Sequence, residues 1–341
     1  MRLFILPQLA LVFGATDRAT AINNDTTNWP QHNYGMEQMF HTMPYYPEAV
    51  ELEYRGRLPN YISGTFYRNG PGIYEWGETT YKHFFDPSAV IQAVRIKDGR
   101  VMYNSNVIKS RNYNANKDAQ KIIKPELGTY GEPDWVTANP DGTPIEDEAT
   151  IIENRLKFFL LMGFPTDNTL IQTYPICGNL VSMTETMFWN IHDPYTLETL
   201  GQLDISKSKN FPPGITCVTQ TAHPHFDMKT GDLHQVMGCM KLPSEDNLIP
   251  KVAYLPYVLR NASRDASNQF LNPLSMQEMV DSIEFGSPFY NKRQTDYVLR
   301  YFHMFVVTEN FIIVPFTSLK FDLGLMVPGV ILEAQPLTEV N

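Results

Sequence analysis

The feature that most constrains the fold of this chain is a recurring pair of β-rich runs joined by a short polar turn. Residues 89–96 form an apolar, β-branched run, residues 97–100 read Lys-Asp-Gly-Arg, and residues 101–103 begin a second run. An Asp-Gly turn between two such runs is typical of a β-hairpin. The pattern recurs at residues 226–234 and 308–314. Repeated hairpins without alternating helices predict an all-β fold, either a sandwich, a barrel or a propeller.

The length and the charge of the chain limit its domain organisation and its partners. A chain of 341 residues can bury a large core as one all-β domain. Its 27 basic and 37 acidic residues give a net charge of −10, which argues against a nucleic-acid-binding surface. The aromatic content of 12% suits strands and an apolar ligand cavity about equally well.

The three cysteines, Cys177, Cys217 and Cys239, are an odd number and show no CxxC spacing. This pattern argues against a zinc-thiolate site and against a disulfide framework. Free cysteine often behaves as a small hydrophobic residue, so we expect all three side chains to be buried and apolar.

The amino terminus has the pattern of a targeting segment. Arg2 precedes an apolar stretch at residues 3–13, and residues 19–21 read Ala-Thr-Ala, the form of a signal-peptidase site. We expect residues 1–21 to be a signal peptide, too short to span a bilayer as a helix. Asn24 and Asn261 begin glycosylation sequons. Cleavage would place the protein in the secretory pathway or outside the cell; without cleavage, we expect it in the cytoplasm, peripheral to membranes.

Two long segments interrupt the strand pattern. Residues 117–154 are polar and rich in Pro, Gly and acidic residues, which predicts a surface loop. Residues 242–296 form a second insertion that contains one helix signal. Ser275 and Glu278 form a capping box, and Gly286 marks the expected stop. The expected apolar face of this helix consists of Met276, Met279, Val280 and Ile283.

Two histidines that are far apart in the sequence lie beside β-rich runs. His223 follows residues 215–218, and His303 precedes residues 311–316. Histidines at the ends of separate strands can converge on one point, and neutral imidazole is the commonest protein ligand of transition metals. No histidine follows His303 in the sequence, so a site built only of histidines takes nothing from the residues after it. The pattern predicts the front part of a metal enzyme.

Six short segments resemble the carotenoid cleavage oxygenases, the family of the animal β-carotene oxygenases and the retinoid isomerases. They occur in the family's order and cover residues 47–319. The segments are 64–72 (Gly-Thr-Phe-Tyr-Arg-Asn-Gly-Pro-Gly), 82–86 (Lys-His-Phe-Phe-Asp), 166–169 (Thr-Asp-Asn-Thr), 184–186 (Thr-Glu-Thr), 221–225 (Thr-Ala-His-Pro-His), and His303 with 308–310 (Thr-Glu-Asn).

The resemblance implies a seven-bladed β-propeller with Fe2+ on its axis, held by four histidines. Carried over by position, His223 matches the first iron ligand and His303 the second. Glu185 matches a glutamate that accepts a hydrogen bond from a ligand ring, which fixes the tautomer and orientation of that ring. On a strand, His225 would face the same side as His223. We interpret His225 as a residue that supports the site and not as an iron ligand.

The remaining histidines have simpler interpretations. His83, beside Asp86, is expected to be structural. Turn or surface positions are expected for His32, His41, His192 and His234.

The resemblance also implies the reaction. Dioxygen would be inserted at one C=C bond of a carotenoid or related apolar isoprenoid, giving two carbonyl products. Such substrates dissolve in membranes, so peripheral membrane contact is expected. The apolar residues 156–164 follow Arg155 and include Lys157, which suits an interfacial anchor; the alternative is a buried strand or helix of the core.

The sequence departs from the family pattern after residue 319, where the third and fourth ligand histidines would follow. We therefore expect residues 22–341 to be the N-terminal and central part of a propeller that is incomplete at its C-terminal end. Three interpretations remain open: an iron-dependent carotenoid or retinoid oxygenase, a truncated and inactive relative that binds a carotenoid or retinoid, and a secreted β-propeller of unrelated function.

Overall fold

A computed structural model gives the fold of most of the chain. It describes residues 40–162, 166–241, 251–263, 270, 273–290, 299–315, 317, 319–321 and 337–339. The expected signal peptide, the Asn24 sequon and His32 lie outside the described residues. Among the helices that are described, none is both long enough and apolar enough to cross a membrane.

Short antiparallel strands make up most of the described structure. They are β1 (Val50–Glu51), β2 (Gly64–Ile73), β3 (Glu75–Trp76), β4 (Thr79–Thr80), β5 (Ser88–Lys97), β6 (Arg100–Val107), β7 (Gln172–Ile176), β8 (Asn179–Met183), β9 (Phe188–His192), β10 (Thr199–Asp204), β11 (Ile215–Gln220), β12 (His225–Phe226), β13 (Leu233–Lys241), β14 (Lys251–Leu259), β15 (Ile283–Phe285), β16 (Leu299–Arg300), β17 (Val306–Val307), β18 (Ile312–Ile313), β19 (Leu319–Phe321) and β20 (Leu337–Glu339). The helices are α1 (Arg111–Ala119), α2 (Glu148–Met162) and α3 (Met276–Asp281), with short 3-10 turns at Asp134–Val136 and Ile205–Lys207.

The strands form successive sheets along the chain. Sheet 1 has the order β1-β6-β5-β2, and sheet 2 has the order β10-β9-β8-β7. Sheet 3 has the order β11-β13-β14-β15, with β12 paired to β13. A further sheet has the order β16-β19-β20, and β3-β4 and β17-β18 are separate hairpins. The all-β prediction is confirmed.

Apolar clusters join each sheet to the next one along the chain. Ile91 of sheet 1 shares a buried cluster with Leu180 of sheet 2. Trp189 of sheet 2 shares another with Leu233 of sheet 3. A third cluster joins sheet 3 to the segment that carries β16–β18. Face-to-face packing of consecutive small sheets is how radially arranged blades bury their apolar faces.

The three hairpins predicted from the sequence are present. Strands β5 and β6 pair across the turn at Asp98 and Gly99, whose φ angles of 52° and 74° are the positive values that a tight hairpin turn requires. Strand β12 pairs with β13, and β17 with β18. Local turn chemistry was therefore sufficient to locate these strands.

The prediction of a surface loop at residues 117–154 was wrong at both ends. The first residues belong to α1, whose Ser110 cap accepts a hydrogen bond from the N–H of Tyr113. The last residues belong to α2. Within α2, Phe158 is buried and packs edge-on against Trp135, whereas Leu156 is partly exposed. The side chains of residues 159–165 lie outside the described part of the chain, so the membrane anchor stays a prediction.

The capping box of α3 is confirmed. The Ser275 side chain accepts the N–H of Glu278, and the Glu278 carboxylate accepts the N–H of Ser275. Met279 and Val280 are buried, as expected, while Met276 is exposed. The helix ends at Asp281, because Ile283 already begins β15.

The prediction that all three cysteines are unpaired was wrong for two of them. Cys217 of β11 and Cys239 of β13 lie opposite each other in the antiparallel register and form a disulfide. Cys177 is buried, as predicted. The pairing depends on the register of two strands, which the cysteine count did not reveal.

The prediction of a turn or surface position was also wrong for His192. This residue lies in β9 and is 1% exposed, and its Nε2 atom lies 2.7 Å from Ser182 Oγ. Burial lowers the pKa of His192 from 6.5 to about 3, so the ring is neutral. His234 lies in β13 and is half-buried rather than at a turn. His41 is exposed, as expected.

We expect the disulfide to contribute about 3 kcal/mol to the free energy of unfolding, because it closes a loop between residues 22 apart in the sequence. The double variant Cys217→Ser/Cys239→Ser should unfold at lower denaturant than the wild type, and dithiothreitol should destabilise only the wild type. Mass spectrometry of a non-reduced digest checks the pairing directly. Free thiols at both positions in the folded protein would contradict it.

The buried His192 predicts a specific loss of stability in acid. The folded state keeps the ring neutral, while the unfolded state takes up a proton below about pH 6.5, so the free energy of unfolding falls by about 1.4 kcal/mol per pH unit below that value. Chemical denaturation measures the free energy of unfolding at each pH. Between pH 7 and pH 5, this free energy should fall by about 2 kcal/mol less in His192→Gln than in the wild type. His41→Gln, at an exposed site, should keep the wild-type drop. If the free energy of unfolding fell equally in all three proteins, His192 would not be the source of the acid sensitivity.

Candidate metal centre

Glu185 lies in the loop between β8 and β9, and strand β11 fixes the backbone of this loop. The Glu185 carbonyl accepts hydrogen bonds from the Gln220 N–H at 3.0 Å and from Thr219 Oγ1 at 2.7 Å. The register of β11 shifts between Cys217 and Thr219, which is a bulge in the strand. Bulges occur often beside functional sites, where they redirect side chains, and this one lies beside the Glu185 loop.

The residues after β11 place His223. The Thr221 carbonyl accepts a hydrogen bond from Gln235 Nε2 at 2.7 Å. Thr221 Oγ1 in turn accepts the His223 N–H at 3.0 Å and donates to the carbonyl of His303. One threonine hydroxyl therefore ties together the backbones of the two predicted ligands.

The segment that carries His303 is fixed by further backbone contacts. The Tyr301 carbonyl accepts the Thr317 N–H at 3.2 Å and Thr317 Oγ1 at 3.0 Å. His225 Nε2 hydrogen-bonds the carbonyl of Phe305. Because a carbonyl only accepts, that nitrogen carries a hydrogen and is not free to bind a metal. This geometry agrees with the interpretation of His225 as a support.

These contacts bring His223, His303 and Glu185 together. The Nε2 atoms of the two histidines are 3.0 Å apart, and their ring centroids are 4.5 Å apart. On the far side of His303, its Nδ1 atom lies 3.1 Å from Glu185 Oε1. The His303 side chain is 48% exposed and that of Glu185 is 23% exposed.

Sequence reasoning missed one residue of this group, Tyr301. Its hydroxyl donates to Glu185 Oε1 at 2.5 Å and lies 2.8 Å from His303 Nδ1. The available signal was its position two residues before His303, because alternate side chains of an extended segment face the same side.

The two histidines differ in their electrostatics. Burial and the neighbouring His303 lower the pKa of His223, against a smaller opposing effect of Glu185. The hydrogen bond to Glu185 raises the pKa of His303. Burial and the Glu185 carboxylate raise the pKa of Tyr301, which therefore stays protonated and able to donate.

The donor pair is compatible with a metal ion. With metal–nitrogen bonds of about 2.1 Å, two ligands at right angles are about 3.0 Å apart. The same separation also fits an N–H···N hydrogen bond between the rings. Within the described ranges, no group of three or more His, Cys, Asp and Glu side chains could hold a metal ion. His223 and His303 are the two histidines that the family resemblance predicts as ligands, and their role stays a prediction.

The contacts of His83 are with other residues than His223, His303 and Glu185. Its Nδ1 atom accepts the N–H of Phe85 at 3.2 Å and lies 3.9 Å from Asp86. The Asp86 carboxylate is buried and accepts the N–H of Gly128 and the hydroxyl of Thr129. These contacts serve local structure.

Comparison with solved structures shows the class of fold. A mutant Synechocystis apocarotenoid oxygenase matches with a TM-score of 0.57 at 18% identity, covering 89% of this chain and 53% of that one. A cobalt-substituted Synechocystis oxygenase matches with a TM-score of 0.56, also at 18% identity, with the same coverage of 89% and 53%. The fold is the β-propeller of the carotenoid oxygenases. The number of blades stays a prediction.

Comparison of sequences shows the family. The model of the family described as "Retinal pigment epithelial membrane protein" matches residues 40–336, and the chain belongs to this family. The β,β-carotene 15,15'-dioxygenase of Mus musculus is 28% identical over 276 residues, 81% of this chain and 43% of the relative. The corresponding Gallus gallus protein is 33% identical over 182 residues, 53% of this chain and 31% of the relative. The chain thus spans less than half the length of these relatives.

Proposed function

We propose that this protein is an iron(II)-dependent dioxygenase that cleaves a carbon–carbon double bond of a carotenoid or related apolar isoprenoid to carbonyl products. The observation that supports this most strongly is the convergence of the His223 and His303 Nε2 atoms at 3.0 Å, with Glu185 on the outer nitrogen of His303. The relatives named β,β-carotene 15,15'-dioxygenase support the substrate class.

His223 and His303 would hold the iron through Nε2, and Glu185 would keep the His303 ring oriented by accepting its Nδ1–H. Bound iron would supply the redox chemistry that lets dioxygen react with an alkene. The atoms of the proposed reaction balance, because the C=C bond and the O–O bond break and each carbon takes one oxygen to become a carbonyl. The protein residues hold the donor set and position the rings.

The alternative is a relative that binds a carotenoid or retinoid without cleaving it. It is favoured by one observation, that the described residues bring together two imidazole ligands and not a larger set. Stoichiometric retention of pigment with no aldehyde formed under oxygen would support this alternative.

The localisation is also a proposal. The disulfide between Cys217 and Cys239 supports the secretory pathway or the cell exterior, because cytosolic thiols are kept reduced. The apolar nature of the proposed substrate supports peripheral contact with membranes.

We expect His223→Ala and His303→Ala each to weaken the binding of cobalt(II), an optical substitute for iron(II), by at least about tenfold, because each removes one of two donors. Cobalt titration followed by visible absorption measures the affinity. His41→Ala, an exposed histidine outside the site, is the control and should bind as the wild type does. The same proteins loaded with iron and incubated aerobically with β-carotene in detergent micelles should form carbonyl products only when both histidines are present. Unchanged metal binding and cleavage in either variant would refute the ligand assignment.

Glu185→Gln should weaken metal affinity or turnover by about 10- to 100-fold, a milder loss than removal of a histidine. The amide keeps the shape of the side chain but lacks the negative charge that strengthens the hydrogen bond to His303. Glu284→Gln is the matched control, because that carboxylate is exposed and pairs with the exposed Arg260 at 2.9 Å. Wild-type affinity and turnover in Glu185→Gln would remove this residue from the site.

A further inference from the structure

Three polar groups meet on the side of His303 that faces away from His223. The Tyr301 hydroxyl lies 2.5 Å from Glu185 Oε1 and 2.8 Å from His303 Nδ1, and Glu185 Oε1 lies 3.1 Å from the same Nδ1. The three atoms form a closed triangle of hydrogen-bonding distances. The number of hydrogens available decides which of them donates.

A carboxylate only accepts hydrogen bonds, and a phenol has one hydrogen to give. The shortest of the three contacts assigns the Tyr301 hydrogen to Glu185. If His303 Nδ1 carried no hydrogen, its lone pair would face the oxygen lone pairs of both Glu185 and Tyr301. Nδ1 must therefore carry the hydrogen, and the neutral ring then has none on Nε2.

We propose that Tyr301 is a positioning residue whose hydroxyl, by donating to Glu185, holds His303 in the Nδ1–H tautomer and leaves its Nε2 lone pair free for a cation. This inference deepens the proposed function and rests on it for the identity of the cation. It has a consequence for the neighbouring ring: without a metal, His223 must carry its hydrogen on Nε2 and donate it across the 3.0 Å gap to His303. The two histidines of the site should therefore have opposite tautomers.

The role of the hydroxyl can be separated from the fold. The backbone at Tyr301 is fixed by Thr317, whose N–H and hydroxyl both bond the Tyr301 carbonyl. Loss of the phenolic oxygen leaves these contacts and the ring in place. Tyr301→Phe should thus keep the backbone of the His303 segment while removing one of the two donors that hold the Glu185 carboxylate.

The test is histidine-selective nitrogen-15 labelling of the metal-free chain, with tautomers read from long-range proton–nitrogen correlation spectra. His303→Gln and His223→Gln assign the two signals by their absence. In the wild type, His303 should be protonated at Nδ1 and His223 at Nε2. In Tyr301→Phe, His303 should become a mixture of tautomers, and cobalt(II) affinity should fall by about tenfold.

Tyr195→Phe is the matched control, because it makes the same chemical change on a side chain that is 69% exposed. Melting temperatures of the variants verify that each is folded. An Nε2–H tautomer of His303 in the wild type, or a Tyr301→Phe protein with unchanged tautomers and cobalt affinity, would overturn the proposal. If the wild type binds no cobalt, the proposed function fails, but the tautomer measurement still decides the role of Tyr301.

Discussion

The candidate site depends on the binding of the Glu185 backbone carbonyl by strand β11. Two hydrogen bonds, from the Gln220 N–H and the Thr219 hydroxyl, fix this carbonyl, and Gln220 Nε2 fixes the next one at 2.6 Å. The Gln220 side chain is itself held by the hydroxyl of the buried Tyr257 at 2.9 Å. A carboxylate on a loop that is anchored to the neighbouring sheet can have one fixed direction, and here that direction is toward His303.

The spacing of the two histidines follows from the same backbone network. Thr221, the residue next after β11, binds the N–H of His223 and the carbonyl of His303. One hydroxyl therefore hydrogen-bonds the backbones of both histidines, although they come from segments far apart in the chain. The backbone fixes the spacing of the two rings, and such preorganisation would reduce the entropic cost of ordering the ligands if the pair binds a metal ion as proposed.

The sequence was most informative where structure is local. The Asp98-Gly99 turn and the Ser275–Glu278 capping box act within a few residues, and both are present as predicted. The Cys217–Cys239 pairing depends on strand register, and the burial of His192 depends on the packing of whole sheets, so neither could be predicted from short patterns. The closeness of His223 and His303 agrees with an expectation from family resemblance. The contact of Tyr301 with Glu185 joins residues 116 apart in the sequence, so no short pattern could predict it.

The charges around the pair explain why a carboxylate is needed on the outer side. Two imidazoles with Nε2 atoms 3.0 Å apart cannot both become cationic, because like charges at this distance repel strongly. Burial and His303 lower the pKa of His223, while the hydrogen bond to Glu185 raises the pKa of His303. The facing nitrogens can share one hydrogen, which His223 donates to His303 when both rings are neutral. A metal ion bound by both nitrogens would replace that hydrogen, and Glu185 would compensate part of its charge.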